Sequence, residues 1–559
     1  MLSSISVLTV PDYIVVVAYL ILTIWIGLKV GSKVKTGEDF FLGGRRLPWW
    51  AIGASLVATD IGGTDIIGAG GLAYRHGLAV ANFEWIGCVP AMIVGAFVFI
   101  PFFYRTGVYT VPEFLERRYS GGVRSVIGVC WLIFMACNLG VMLLASGKMM
   151  STVFGWDPLI CILITAALVG FYTCTGGLEA VVYTDVLQCV IMIAGCLLIL
   201  VLGLVRVGGV DNLMTKLREA EIRESANTSS TSGATSDSTA TATDAEASTD
   251  PNDPQSVTDR AVATDEEIRR TQLILPLDTK TPFPWAGIYF GLALILSPAY
   301  WIGNQAIVQR SLGARSEFEA KASYVWGALL KNVIPLIVAI PGLIAVALLP
   351  DLKDGDMAVP ALVGHVLPAG ARGLFVAAFL AALMSSVDSY LNSAATLVSH
   401  DFYRRFINPS VSDQAILRVG RITTVVLVIW AIGFAMALAQ LQDGSGVYTV
   451  FQTLMSFFQG PAFAILLTGI FWRRATATAA LIALCSGIAT AVGLFLCNQP
   501  YFLAAVGWEP LFRIADPFLY YSIWSFLVTI VLMFLISPLT APISKTQADL
   551  FYGAKAGVK

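Results

Sequence analysis

The chain has 559 residues, of which 57% are hydrophobic and only 13% charged, a composition typical of a polytopic membrane protein and not of a large soluble enzyme. A net charge of −2 gives no basis for a nucleic-acid partner. Three scattered histidines are too few for a zinc site, and nine cysteines without a CxxC pair are expected to be buried thiols.

Windows of about 20 apolar residues predict about thirteen membrane spans. The predicted spans are 10–30, 48–72, 79–104, 125–153, 158–174, 180–206, 284–303, 322–349, 372–398, 417–440, 447–471, 475–497 and 517–538. Basic residues follow the first span rather than precede it, which argues against a cleaved signal peptide and predicts an N-terminus outside. Every second loop is then rich in arginine, so the positive-inside rule predicts a C-terminus inside.

Two of these spans carry helix breakers. The second span contains Gly62 and Gly63, followed by further glycines, and the seventh contains Pro298. The two spans stand five apart and therefore enter the membrane from opposite sides. This pattern is expected of an inverted repeat whose broken helices meet at a substrate site.

A long segment outside the membrane, 207–282, is predicted between the sixth and seventh spans. Its centre, 225–265, consists almost entirely of Ser, Thr, Ala, Asp and Glu without an apolar stripe. Such a stretch cannot bury enough surface to order itself, so we predict disorder and assign it no function.

A carboxylate, Asp388, lies inside the ninth predicted span, where it is costly unless something there needs oxygen ligands. At helical spacing, polar side chains share one face with Ser386 beside it: Ser385, Ser389, Asn392, Ser393 and Thr396. Hard oxygen donors suit an unhydrated alkali cation better than a transition metal. The stripe therefore predicts an ion-coupled membrane transporter.

Five local strings follow one another between about residues 40 and 474. They are Leu47-Pro48-Trp49-Trp50 leading into Ala54-Ser55-Leu56; Gly176-Gly177-Leu178-Glu179-Ala180-Val181 leading into Thr184-Asp185; Tyr300-Trp301 with Asn304-Gln305 and Gln309-Arg310; Met384-Ser385-Ser386 with Asn392-Ser393; and Phe471-Trp472. In order and spacing these strings resemble the sodium:solute symporter family, and within it the sodium/glucose cotransporter branch.

The resemblance implies an all-α polytopic membrane protein with a leucine-transporter-like five-helix inverted repeat. One extra transmembrane helix (1–33) would precede a core of two inverted repeats (48–471). Accessory helices (475–538) and a cytoplasmic tail (539–559) would follow. The bilayer is the one partner this arrangement requires, and no protein partner is inferred.

The resemblance also implies a main sodium site, in which carbonyls at the break of the first core helix meet hydroxyls of the eighth. The matching positions are Ala58, Ile61, Ala382, Ser385 and Ser386. Unwound backbone supplies oxygens without side-chain charge, and two serines complete a small cage. Alternatively, the serines hydrogen-bond to the preceding turn or hold helices together. Sodium is the coupling ion, and the only metal, that the resemblance implies.

A second cation site matches Asp185, which in some relatives contributes to such a site or to the cation exit path. Asp388 and Ser389 lie on the matching side of the eighth core helix. Two carboxylates near one cavity could hold a second sodium or share a proton. Alternatively, Asp185 pairs with a cytoplasmic arginine as part of a gate, and both interpretations stay open here.

Sugar recognition needs several hydrogen-bond partners and an apolar or aromatic face. The candidate substrate residues, taken from matching or neighbouring family positions, are Asp65, Glu84, Ser297, Tyr300, Trp301, Lys331 and Gln452. Glu84 and Lys331 could instead form a buried structural ion pair, and the two interpretations can coexist.

Several positions depart from the sugar pattern. Asp65 replaces an amide, Ser297 replaces an asparagine, Gly87 replaces a polar residue, and Asp60 adds an acid to the broken helix. Asp65 could bind sugar hydroxyls with both oxygens, or it could bind the ammonium group of an amino-acid-like substrate.

We expect a sodium-coupled symporter of the cell membrane that imports a small polar solute, with a sugar favoured. The alternative is an amino acid, polyol or carboxylate carried by the same fold. The sequence contains neither a serine-nucleophile motif with a histidine partner nor a metal-binding histidine pair, which argues against an intramembrane enzyme.

Overall fold

Helices form nearly all of the described chain, because apolar segments in a bilayer must pair their own backbone N–H and C=O groups. The computed structural model describes residues 8–32, 36–233, 269–441, 446–512, 514, 516–542 and 544. Within this part, nine helices are long and apolar enough to cross a bilayer: Val10–Gly31, Leu78–Thr106, Gly121–Phe154, Gly177–Val207, Glu317–Leu348, Ala371–Ile407, Asp413–Gln440, Ala477–Cys497 and Phe518–Leu539. Two bent pairs raise the number to eleven: Gly287–Gly303 with Gln305–Leu312, and Val447–Ser456 with Gln459–Phe471.

The remaining two predicted spans are helical, but neither is a single helix long enough to cross a bilayer. The span at 48–72 is interrupted, and Pro158–Phe171 is short before the chain kinks at Gly177, whose φ is 61°. The total of thirteen and the orientation of the termini therefore stay predictions. The predicted span at 447–471 is present as two helices, Val447–Ser456 and Gln459–Phe471, which are bent by 42°. Pro461 supplies the reason, because it has no N–H to donate to the preceding turn.

The helix Ala371–Ile407, called here the serine helix, lies at the centre of the molecule. Of its most apolar stretch, 94% is buried, against 22% for Val10–Gly31 at the periphery. The peripheral helix is nevertheless anchored to the central one. Asp12 is buried, and its Oδ1 accepts the amide N–H groups of Gly370 and Gly373 at 2.7 Å, which satisfies donors at the start of the serine helix.

The first broken helix consists of Trp49–Asp60 and 65–76, and its break coincides with the predicted glycines. Ile61 is extended (φ −89°, ψ 90°) and ends the first half. Asp65 Oδ2 then accepts the amide N–H of Gly62 at 2.8 Å, which satisfies a donor freed by the break. The two halves are thereby held in a defined geometry.

The second broken helix consists of Gly287–Gly303 and Gln305–Leu312, bent by 51°. The bend lies at Asn304, not at Pro298 as predicted. Residues Gly287–Leu296 are π-helical, so their hydrogen bonds join residues five apart instead of four, and this wider turn accommodates the proline. Asn304 is extended (ψ 120°), and its side-chain oxygen accepts the amide N–H of Ala306 at 2.9 Å, so it caps the second half.

The insert at 207–282 departs from its prediction at one end. A helix runs from Val210 to Gly233, so residues 225–233 are helical rather than disordered. The rest of the predicted disordered centre, 234–265, and most of the predicted tail, 539–559, lie outside the described residues.

Candidate functional site

Two serines of the serine helix lie against the end of the first broken helix. Ser385 Oγ is 2.7 Å from the carbonyl oxygen of Ala58 and 3.0 Å from that of Ala382. Ser386 Oγ is 2.9 Å from the carbonyl oxygen of Thr59 and 3.1 Å from that of Ala382. All of these residues are buried. Four of the five residues predicted for sodium therefore form one cluster of neutral oxygens.

The fifth, Ile61, lies next to this cluster at the helix break. The glycine that follows explains how the two elements approach so closely. A Cβ atom at Gly62 would lie 2.9 Å from Ser386 Oγ, which is too close for an ordinary contact. Glycine at this position therefore lets the break reach the serine hydroxyl.

Asp185 forms a buried ion pair with Arg310 of the second broken helix. Arg310 Nη2 lies 3.3 Å from Asp185 Oδ2, and its Nε donates to Ser55 Oγ at 2.7 Å. Ser55 Oγ in turn donates to Asp185 Oδ2 at 2.5 Å. Arg310 also contacts Ser389, whose hydroxyl donates to Asp388 Oδ1 at 3.1 Å. The three residues predicted for a second cation thus share a network that already contains an arginine.

Thr59 connects this network to the serine cluster. Its carbonyl oxygen faces Ser386, and its hydroxyl lies 3.1 Å from that of Ser389. The end of the first half-helix therefore touches both groups of predicted residues, one turn apart on the serine helix.

Lys331 lies fully buried between two carboxylates. Its Nζ is 2.5 Å from Glu84 Oε2 and also contacts Asp60 Oδ2. The predicted pair of Glu84 and Lys331 is therefore present as an ion pair, and Asp60 makes it a triad. Sequence reasoning recorded Asp60 as an extra acid but did not assign it, because its partner is 271 positions away along the chain.

A cavity next to the triad collects the other candidate substrate residues. It is lined by Asp65, Glu84, Ser297, Tyr300, Trp301 and Gln452, together with Asp60. The aromatic rings of Phe83, Tyr448 and Phe451 also line it. The volume of the cavity is about 40 Å³, which leaves room for a few water molecules. A sugar would therefore require these walls to move apart.

A second ionic network lies near the end of the first broken helix. Arg75 Nη2 is 3.1 Å from Asp354, and Lys148 Nζ is 2.8 Å from Asp356. Asp356 also accepts the amide N–H of Val447 at 3.1 Å, at the start of the bent pair. Burial acts to raise the pKa of Asp354, but Lys148, a backbone N–H and Arg75 outweigh it and hold that pKa below its ordinary value. The network connects three separate elements around a loop.

The sequence profile of the sodium:solute symporter family matches residues 40–487. The chain belongs to this family. It is 30% identical to the sodium/glucose cotransporter of Vibrio parahaemolyticus over 88% of this chain and 85% of that protein. It is 32% identical to the sodium/mannose cotransporter of Bos taurus, over 86% of this chain and 78% of that protein. The family resemblance predicted from the five strings is confirmed, and with it a multi-pass membrane protein.

Among solved structures, this symporter is similar to a Na+-coupled sialic acid symporter in a substrate-bound outward-open state. The TM-score is 0.75 at 22% identity, over 96% of this chain and 99% of the other. The all-α leucine-transporter-like fold predicted from the resemblance is thereby confirmed. Sodium is the coupling ion of this symporter.

Proposed function

We propose that this protein is a sodium-coupled symporter that takes up a sugar across the cell membrane, with its N-terminus outside and its C-terminus inside. The observation that supports this most directly is the contact of two serine hydroxyls with carbonyls at a helix break, beside a polar cavity. The names of the relatives, cotransporters of glucose and mannose, favour a sugar over an amino acid or a carboxylate. Transport requires no covalent chemistry of the protein.

The sodium ion is held by the carbonyls of Ala58, Ile61 and Ala382 and by the hydroxyls of Ser385 and Ser386. These oxygens are neutral, buried and contributed by two helices, so an ion there holds the two helices together. The bond that each serine hydroxyl makes to a carbonyl keeps both oxygens in place. To bind sodium, the hydroxyl keeps its proton but turns it away, so that an oxygen lone pair faces the ion.

In this proposal, Asp185 is part of a gate: its ion pair with Arg310 holds its helix against the second broken helix. It is not a ligand of a second sodium. Arg310 cancels its charge, and Ser55 occupies the same carboxylate oxygen. A second sodium at Asp185, Asp388 and Ser389 would lie beside the positively charged guanidinium of Arg310, which contacts both Asp185 and Ser389. The arginine network therefore favours the gate alternative.

Coupling follows from the first broken helix, which contributes both to the sodium site and to the cavity. Ala58 precedes the break, Ile61 lies at it, and Asp65 follows it and lines the cavity. Sodium that fixes the break also fixes Asp65, so each solute raises the affinity for the other. The membrane potential adds about 2.3 kcal/mol per charge and 100 mV to the driving force.

Uptake of labelled sugars into proteoliposomes tests this function. We expect accumulation with an inward sodium gradient and little with potassium or choline in its place. A proton gradient without sodium is the further control. Equal uptake with choline would contradict the proposal, and competition by unlabelled amino acids, polyols and carboxylates would identify the alternative substrates.

A further inference from the structure

The cavity carries more negative than positive charge. Asp60, Asp65 and Glu84 all line it, and Lys331 contacts two of them. Among the described residues, no cationic side chain lines the cavity itself. Three acidic side chains thus line a cavity beside a single ammonium group, in surroundings where an unpaired charge is costly.

Lys331 is already committed to two of these carboxylates. Its Nζ lies 2.5 Å from Glu84 Oε2 and contacts Asp60. Asp65 instead accepts the amide N–H of Gly62 at 2.8 Å, a neutral donor that fixes the carboxylate but cancels no charge. Asp65 is therefore the carboxylate at which a cationic ligand gains most.

Sodium at the proposed site supplies one of the two positive charges that are missing. The site lies beside Gly62, three residues before Asp65, on the same break. If all three carboxylates are ionised, Lys331 and one sodium leave one negative charge in excess at the cavity and the adjacent site. A neutral sugar leaves this charge uncompensated, whereas a sugar with a protonated amine cancels it.

The remaining walls also suit a polar ligand with a cationic group. Gln452 is only 5% exposed, and its Oε1 has no hydrogen-bond partner among the described residues, so it can accept from a ligand N–H or O–H. Lys331 Nζ lies 5.7 Å from the ring of Trp301, so an ammonium group is already accommodated near this aromatic wall. Gln452 and Trp301 line the same cavity as Asp65.

We propose that the substrate of this symporter is an amino sugar with a free, protonated amine, which binds Asp65 while its hydroxyls bind Gln452 and the Lys331 triad. This inference rests on the proposed function, since it assigns a chemical class to the same sugar site. Glucose and glucosamine differ by a hydroxyl against an ammonium group at one carbon, and acetylation of that amine removes its charge.

The test compares sodium-dependent uptake of glucosamine, N-acetylglucosamine and glucose at a pH below the pKa of the glucosamine amine. We expect the half-saturation concentration of glucosamine to be at least about tenfold below those of the two neutral sugars, since a bond between charged groups is worth at least that factor. In Asp65→Asn this preference should disappear, because asparagine keeps an oxygen for Gly62 but no charge. The matched control Asp278→Asn removes an exposed carboxylate outside the cavity and should keep the preference.

The outcomes separate this inference from the proposed function. Sodium-driven uptake of glucose or N-acetylglucosamine at equal or better affinity than glucosamine overturns the amino-sugar assignment and leaves sugar symport intact. A preference that persists in Asp65→Asn also overturns it. If that variant does not fold, the comparison of the three sugars on the unaltered protein still decides. If sodium drives uptake of another sugar but of none of these three, only the amino-sugar assignment is overturned, whereas sodium-dependent uptake of no sugar at all overturns both.

Discussion

Replacing Ser386 with alanine removes one hydroxyl oxygen from the proposed sodium site. Ser386 Oγ lies 2.9 Å from the carbonyl oxygen of Thr59 and 3.1 Å from that of Ala382, in a fully buried position. An interaction with a charged group contributes about 1.5–3 kcal/mol, and about 1.4 kcal/mol is a factor of ten in affinity. We therefore expect the sodium half-saturation concentration to rise about 10- to 100-fold. The sugar half-saturation at saturating sodium should change little.

Sodium activation of sugar uptake in proteoliposomes measures this effect. Ser399→Ala is the matched control, because Ser399 is buried on the same helix and its Oγ has no hydrogen-bond partner among the described residues. It should leave sodium activation unchanged. Thermal unfolding of both variants separates the loss of a ligand from the loss of the fold. An unaltered sodium half-saturation in folded Ser386→Ala would refute the site.

Three further substitutions test the surrounding network. Asp185→Asn leaves the buried guanidinium of Arg310 without its counter-charge and should lower the free energy of unfolding by about 3–5 kcal/mol. An unchanged midpoint of thermal unfolding would show that the ion pair does not hold these helices together. Lys331→Met removes the cation between two carboxylates and should raise the sugar half-saturation more than the sodium one in uptake assays. An effect on sodium alone would place Lys331 outside the sugar site. Gly62→Ala puts a Cβ atom 2.9 Å from Ser386 Oγ, so sodium activation should weaken, and full activation would mean that the hydroxyl moves freely.

Much of the fold follows from local sequence properties. Apolar runs identify the spans, and the glycine pair predicts the break after Asp60 correctly, since glycine both weakens a helix and permits close approach. The prediction of a bend at Pro298 is wrong, because the π-helical stretch before it accommodates a residue without an N–H group. The bend forms at Asn304 instead, whose side chain caps the next half-helix. Whether a proline bends a helix depends on hydrogen bonds that composition does not reveal.

The candidate site is predictable in its parts but not in its pairing. The spacing on the serine helix gives Ser385, Ser386 and Ser389, because one helix fixes their relative positions. The partners of Asp60 and Asp185 are Lys331 and Arg310, contributed by distant helices. Such pairs depend on how helices pack, so the sequence alone left Asp60 unassigned and the role of Asp185 open.

The central claim is that sodium and sugar cross the membrane in one coupled step. Coupling is reciprocal, so a sugar gradient must also move sodium. The most direct measurement is therefore the accumulation of radioactive sodium in proteoliposomes that have equal sodium on both sides and an imposed inward sugar gradient. We predict transient accumulation of sodium above its external level, and a reduced accumulation in Ser386→Ala at sodium concentrations below the raised half-saturation of that variant. Sodium that stays at equilibrium while sugar enters would contradict the account.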